Sequence, residues 1–304
     1  MTMNNHAEIL TRGLAAGADF AELFCEQNSK TSIVFDDGKL EKILTSTEQG
    51  AGLRVMRGLE TRYASVSALA PKSLGALPER VAFEKSSKVG NSVSLQKIKS
   101  AFTLPVKIRP DTVSLDAKID VVTRANKAAR AVSPLVKQVS VSYGDSIQKI
   151  WISNSEGRYV EDERIRARFM VHVIAERDGN LQTGYEPAGF FGGFEIFEIY
   201  NPEELAVEAA ERAIRMLDAK PAPSGPMTVV LSSEAGGTMI HEACGHGLEA
   251  DHIVKGSSVY SGKIGQKVAS ELLTVYDDAT LPHRYGSFHF DDEGTPGQNT
   301  VVIK

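Results

Sequence analysis

Two histidines five residues apart constrain the backbone more than any other feature of this sequence. His241 and His246 flank Glu242 in the stretch His-Glu-Ala-Cys-Gly-His, which is typical of a helix. Two histidines can bind a zinc ion, and a neighbouring glutamate can take a proton from water. On an ideal α-helix, positions five apart are rotated by about 140°, so the rings would diverge. A shared ion therefore requires the helix to bulge or end near Gly245.

The metal hypothesis makes a geometric prediction for this helix. Both imidazoles must lie about 2.1 Å from one ion, so we expect their ring nitrogens within roughly 3–4 Å of each other. The motif alone is explained equally well by structural histidines, but its surroundings favour a site. The apolar run Met227–Leu231 predicts a strand, and Ser232 offers a helix start together with Ser233 and Glu234. Residues 248–252 add a second cluster of acidic and imidazole side chains.

A proline-rich segment, Lys220–Pro226, divides the chain. We expect an α+β fold in two parts. Residues 1–220 form an N-terminal mixed α/β domain with antiparallel strands. Residues 226–304 begin a β-rich C-terminal domain, incomplete in this chain, that carries the motif helix.

Local patterns predict the elements of the N-terminal part. Asp36-Asp37-Gly38 is a hairpin signal within a strand meander at 20–67, and Asn201-Pro202 opens a helix that runs to about Leu217. Further helices are predicted at 5–16 and 115–137, and strands at 138–153 and 158–176. Gly184–Phe194, rich in glycine and aromatic residues, is predicted as a loop that is tightly packed, contacts a peptide substrate or crosses between domains.

Charge and cysteine content limit the classes of function and partner. Residues 226–304 contain 5 Lys/Arg and 10 Asp/Glu, a balance that equals the chain's net charge of −5. An acidic segment suits a cation better than a phosphate backbone, so we expect no direct nucleic-acid partner. No apolar run approaches the roughly 20 residues that cross a bilayer, so no membrane partner is expected. Two cysteines without a disulfide pattern, and no signal peptide, predict a cytoplasmic protein.

Several blocks of the sequence resemble the TldD/PmbA family of metallopeptidases, and specifically its metal-bearing TldD side. The specific blocks are Ile240–Asp251, Gly262–Asp278 and Asp291–Gln298. Matches upstream are Asp37–Glu41, Gly50–Arg54, Asn154–Gly157 and Val160–Asp162. The resemblance spans nearly the whole chain.

The resemblance implies a zinc-dependent peptidase that acts on unfolded or extended peptides. It implies that His241 and His246 hold Zn2+ and that Glu242 serves as general base and then acid. It also implies a PmbA-type partner subunit in a heterodimer, with a homodimer as the alternative.

The third metal ligand departs from the family pattern. In the family, a cysteine close to the carboxyl terminus completes the site, whereas this chain ends at Lys304 and contains only Cys25 and Cys244. We therefore expect a truncated enzyme whose third ligand is open. The remaining candidates follow the motif and are Glu249, Asp251, His252, His283 and His289. The alternative is a catalytically inactive truncated subunit that only pairs with a partner protein.

Overall fold

The computed structural model describes residues 2–83 and 92–304, which form two compact units of an α+β fold. One unit comprises the chain up to Ala219 together with Ala279–Gly297. The other comprises Lys220–Asp278 and Gln298–Lys304. The predicted domain limits 1–220 and 226–304 stay a prediction. The compact units differ from them because residues 279–297 belong to the first unit.

The first unit contains most of the regular structure. Its helices are α1 (Met3–Ala15), α2 (Pro71–Gly75), α3 (Leu77–Val81), α4 (Leu115–Ala131), α5 (Ile196–Ile199) and α6 (Pro202–Met216). Its strands are β1 (Phe20–Asp36), β2 (Lys39–Arg57), β3 (Glu60–Val66), β4 (Gln96–Lys97), β5 (Val136–Asn154), β6 (Arg158–Arg177) and β7 (Asn180–Phe191). The second unit contains helices α7 (Ser233–Ile240) and α8 (Ala250–Val254) and strands β8 (Val275–Asp278) and β9 (Asn299–Ile303).

The strands of the first unit form one sheet of order β3-β2-β1-β5-β6-β4, with β7 also paired to β6. All neighbours are antiparallel except β4, which runs parallel to β6. The turn between β1 and β2 has positive φ at both Asp37 and Gly38. That backbone matches a tight two-residue hairpin, so the predicted hairpin is confirmed.

Helices α4 and α6 bury the main core against β5, β6 and β7. The face that α6 turns inward consists of alanines, namely Ala206, Ala209, Ala210 and Ala213. Small residues let the helix backbone approach the sheet, and a Cβ at Gly184 would lie 1.9 Å from the Ala209 carbonyl oxygen. The loop predicted over Gly184–Phe194 is therefore wrong as far as Phe191, because those residues form strand β7 directly beneath the helix.

Helix starts follow their local signals. The side chain of Asn201 accepts hydrogen bonds from the backbone N–H groups of Glu203 and Glu204, as the predicted cap requires. Helix α4 ends at Ala131, short of the predicted residue 137, and Pro134 follows closely.

Residues 279–297 are fixed to the sheet of the first unit by side chains of β6. Arg164 donates to Asp292 Oδ1 at 2.9 Å and to the Phe290 carbonyl at 2.7 Å. Arg158 donates to Thr295 Oγ1 at 3.1 Å. These contacts join segments more than a hundred residues apart.

The second unit carries little regular sheet. Strands β8 and β9 pair antiparallel, with Tyr276 opposite Val301. The strand predicted over Met227–Leu231 is wrong, because that run is irregular and pairs with no strand in the described chain. No helix within residues 2–83 and 92–304 is both long and apolar enough to cross a membrane.

Candidate metal centre

The motif lies where a short α-helix changes its winding. Ser232 caps α7 by accepting a hydrogen bond from the N–H of Ala235, as expected from the sequence. From His241 to Gly245 the chain adopts a π-helical turn, in which the N–H of His246 donates to the carbonyl of His241. A bond between positions five apart places those residues one above the other. The predicted departure from α geometry is confirmed.

This turn brings the two imidazoles together. His241 Nε2 and His246 Nε2 lie 3.1 Å apart, and the ring centroids are 4.4 Å apart. Two nitrogens each about 2.0–2.1 Å from one tetrahedral zinc would stand about 3.4 Å apart, so the pair fits a shared ion. Two imidazole nitrogens facing each other at this distance need a proton or a cation between them, because their lone pairs would otherwise repel.

Carboxylates flank the two rings on either side. Glu249 Oε1 lies 2.7 Å from His246 Nδ1, and this hydrogen bond raises the pKa of His246. Glu242 Oε2 lies 3.8 Å from His246 Nε2, beyond hydrogen-bond distance, and its side chain is 65% exposed. Glu242 therefore lies near the Nε2 that faces His241, and Glu249 lies at the opposite nitrogen, Nδ1.

A brace formed by Ser258 and Tyr260 supports the turn, and sequence reasoning missed it. Ser258 Oγ donates to the carbonyl of Gly247, and Tyr260 Oη donates to the carbonyl of Ala243 at 3.4 Å. A Cβ at Gly247 would lie 2.8 Å from Tyr260 Cε2, so only glycine admits the ring in this position. No signal near residues 258–260 points to this contact, because it joins residues more than ten positions apart.

Neither cysteine joins the two histidines. Cys244 is buried, and its thiol donates to the carbonyl of Ile240 at 3.1 Å. Cys25 is fully buried in β1, and burial raises the pKa of its thiol to about 12. A thiol that stays protonated is a poor metal ligand.

The other candidate ligands fall into two groups. Glu249, Asp251 and His252 form a second exposed cluster, with ligand atoms within 4.8 Å of one another. His283 and His289 are engaged inside the first unit. The His283 ring stacks on Phe190 with centroids 4.6 Å apart. His289 binds Asp162 Oδ1 through Nδ1 at 2.9 Å and accepts the Leu104 N–H at Nε2.

Comparison with known families matches three successive parts of the chain. Residues 21–77 match PmbA/TldA metallopeptidase domain 1, residues 108–217 match the central domain, and residues 224–304 match the C-terminal domain. The last match contains the π-helical turn, so the candidate centre lies in the domain described as C-terminal.

Individual relatives agree with this family match. A metalloprotease of Methanocaldococcus jannaschii is 33% identical over 294 residues, covering 94% of this chain and 64% of the relative. A metalloprotease TldD homologue of Haemophilus influenzae is 34% identical over 298 residues, covering 94% of this chain and 61% of the relative. The chain thus spans less than two thirds of the length of either protein.

A solved structure supports the fold. TldE from Thermococcus kodakarensis superposes with a TM-score of 0.71 at 18% identity, covering 99% of this chain and 67% of the other. At this identity the likeness bears on the fold alone.

Proposed function

Because the chain belongs to the PmbA/TldD family of metallopeptidases, we propose that it carries the zinc centre of a peptidase that cleaves unfolded or extended peptides. The observation that carries the proposal is the 3.1 Å separation of His241 Nε2 and His246 Nε2 across a π-helical turn. A regular α-helix would hold these rings about 140° apart.

His241 and His246 are the residues that would hold the ion. A bound zinc supplies Lewis acidity toward water and toward the scissile carbonyl. The imidazoles present their Nε2 atoms on one side of the turn. The neutral imidazole is the form that binds metal, so the proton of His246 belongs on Nδ1, where Glu249 accepts it.

Glu242 is the proposed general base. Its carboxylate lies beside the ion-facing nitrogen of His246 without being hydrogen-bonded to it. In that position it takes a proton from the attacking water and then donates it to the leaving amine.

We further propose a PmbA-type partner subunit in a heterodimer, with a homodimer as the alternative. The structural likeness to TldE supports a shared architecture for two such subunits. The two free cysteines suit a reducing compartment such as the cytoplasm.

The test compares three substitutions in the 304-residue chain. We expect Glu242→Gln to hold as much zinc as the native chain and to lower the cleavage of an unstructured peptide by about 10²- to 10⁴-fold, because shape is kept and the base is lost. We expect His241→Ala and His246→Ala to lose both the bound zinc and the peptide cleavage. Bound zinc is measured by elemental analysis after dialysis, and cleavage is measured with and without a PmbA-type subunit.

His172→Ala is the matched control, since this exposed histidine lies in strand β6 of the first unit. It should leave zinc content and cleavage unchanged. Undiminished zinc in both His241→Ala and His246→Ala would place the metal elsewhere and refute the proposal.

One observation favours a second candidate function, a non-catalytic subunit that pairs with a partner. Catalytic zinc sites normally use three protein ligands. Cys25 is buried in β1, and the Cys244 thiol donates to the Ile240 carbonyl. Two imidazoles alone should hold zinc weakly. A chain that loses zinc on dialysis, cleaves nothing alone or in the mixture, yet co-elutes with a PmbA-type subunit would support this second function.

A further inference from the structure

We infer that Glu249 is a positioning residue that fixes the tautomer and the orientation of His246. Glu249 Oε1 lies 2.7 Å from His246 Nδ1, on the side of the ring away from His241. The inference rests on the proposed zinc centre for its functional meaning. Its structural part concerns only the tautomer and orientation of the His246 ring, and the tautomer can be measured in metal-free protein.

The backbone brings this pair together by a second change of winding. After the π-helical turn, residues His246–Leu248 form one turn of 3₁₀ helix, and Glu249 ends it with extended backbone angles. A 3₁₀ turn has three residues, so positions three apart eclipse. In an α-helix the same two side chains would be offset by about 60°. The two successive irregular turns thus align His241, His246 and Glu249.

The hydrogen bond decides where the His246 proton lies. An ionised carboxylate only accepts hydrogen bonds, so the ring must donate from Nδ1. Nε2 then carries the free lone pair and points at His241 Nε2, 3.1 Å away. Without the Glu249 carboxylate, Nδ1–H loses the acceptor that favours it. A proton on Nε2 would then block the ion-facing atom.

Glu249 and Glu242 therefore have separate tasks. Glu242 stands 3.8 Å from the ion-facing Nε2 of His246, where a water could be deprotonated. Glu249 contacts the opposite nitrogen, and its second oxygen lies 3.8 Å from His252 Nε2. A carboxylate behind a metal-binding imidazole fixes the ring and increases its strength as a ligand, and removing such a group typically lowers metal affinity about 10- to 100-fold.

The first measurement follows the tautomer in metal-free protein. Long-range ¹⁵N–¹H correlation at a pH where imidazoles are neutral distinguishes Nδ1–H from Nε2–H, and His246→Gln identifies the signals of His246 among the seven histidines. We expect Nδ1–H in the native chain and a shift toward Nε2–H in Glu249→Ala. Glu249→Gln should keep Nδ1–H, because its amide oxygen still accepts the hydrogen bond.

The second measurement is zinc affinity by competition with a chelating dye. Glu249→Ala should weaken binding about 10- to 100-fold, and Glu249→Gln should recover most of that loss. The control is Glu271→Ala, which removes an 86% exposed carboxylate of the same unit that forms a salt bridge with Lys267 at the surface. It should leave both readouts unchanged.

The two measurements separate this inference from the proposed function. The role of Glu249 is overturned if His246 is the Nε2–H tautomer in the native chain, or if the tautomer does not change in Glu249→Ala. Either result holds regardless of the zinc affinity. A correct tautomer response with zinc binding that is insensitive to His241→Ala and His246→Ala upholds the positioning of the ring and rejects the zinc centre. A correct tautomer response with unchanged zinc affinity in Glu249→Ala overturns the functional part of the inference.

Discussion

Replacing Glu195 with glutamine should destabilise the first unit by about 2–5 kcal/mol. The Glu195 side chain is buried, and its carboxylate accepts three backbone hydrogen bonds. Oε1 accepts from Lys107 at 2.9 Å and Gly193 at 3.1 Å, and Oε2 accepts from Ile108 at 2.8 Å. The carboxylate thus fastens the segment before α4 to the end of β7.

The magnitude follows from counting what glutamine can replace. A glutamine offers one oxygen, so its NH₂ group must face at least one N–H donor, and an unsatisfied buried donor costs about 1–3 kcal/mol. The bonds that remain change from charged to neutral, which weakens each by about 0.5–1 kcal/mol. Glu198→Gln is the control, because Glu198 pairs with Lys107 Nζ at the surface, is 49% exposed, and should cost less than about 1 kcal/mol.

The same contacts predict a pH dependence. Burial raises the pKa of Glu195, but hydrogen bonds from backbone N–H groups, including its own, together lower it more, so the folded pKa lies below the ordinary value of 4.5. A depressed pKa contributes stability that is fully present above 4.5 and is lost as the pH falls through the folded value. The difference in unfolding free energy between the native chain and Glu195→Gln should therefore shrink below pH 4.5.

The assay is urea unfolding followed by tryptophan fluorescence. The single tryptophan, Trp151, lies in β5 and so reports on the first unit without interference from the second. A loss below about 0.5 kcal/mol at pH 7, or a difference that stays constant as the pH falls to 3.5, would refute the reasoning.

Two other substitutions test the buried charge and the brace. Lys118→Met should lower the free energy of unfolding by about 3–5 kcal/mol in the same fluorescence assay. Lys118 Nζ lies 2.6 Å from Asp145 Oδ2 with both side chains buried, so the carboxylate would lose its partner. A double replacement that also removes Asp145 should cost less, and equal costs would contradict this. Gly247→Ala should weaken zinc binding in the dye competition, since its Cβ would displace the Tyr260 ring by about 0.7 Å to reach an ordinary contact. Gly237→Ala, which meets open space in α7, should leave zinc binding unaffected, and equal weakening in both would contradict a role for the brace.

Features encoded within a few residues were predictable. The hairpin at Asp37-Gly38 and the cap at Asn201 depend on side chains next to the backbone groups they affect. The convergence of His241 and His246 was also predictable, because a five-residue spacing and one shared ion are incompatible with a regular α-helix. Their role as metal ligands, and that of Glu242 as base, stays a proposal.

Contacts between distant segments were not predictable. The run Gly184–Phe191 has the composition of a loop, yet it forms a strand because helix α6 lies against its glycine. His289 has the chemistry of a metal ligand, but Asp162 and the Leu104 N–H occupy both of its ring nitrogens.

The sequence by itself determined the class of the fold, which depends on periodicity and turn residues. It also determined the family, through several blocks of resemblance, and the three residues proposed for the chemistry, through a short motif. Only the tertiary structure decided which other side chains contact and support those residues. The Ser258–Tyr260 brace contacts the motif because the fold brings together residues that are more than ten positions apart in the chain. The sequence showed Glu249 as an acidic neighbour of the motif, but its alignment with His246 arises from successive π and 3₁₀ turns. The sequence gives only the spacing of two residues, whereas the number of residues per helical turn decides whether their side chains point the same way.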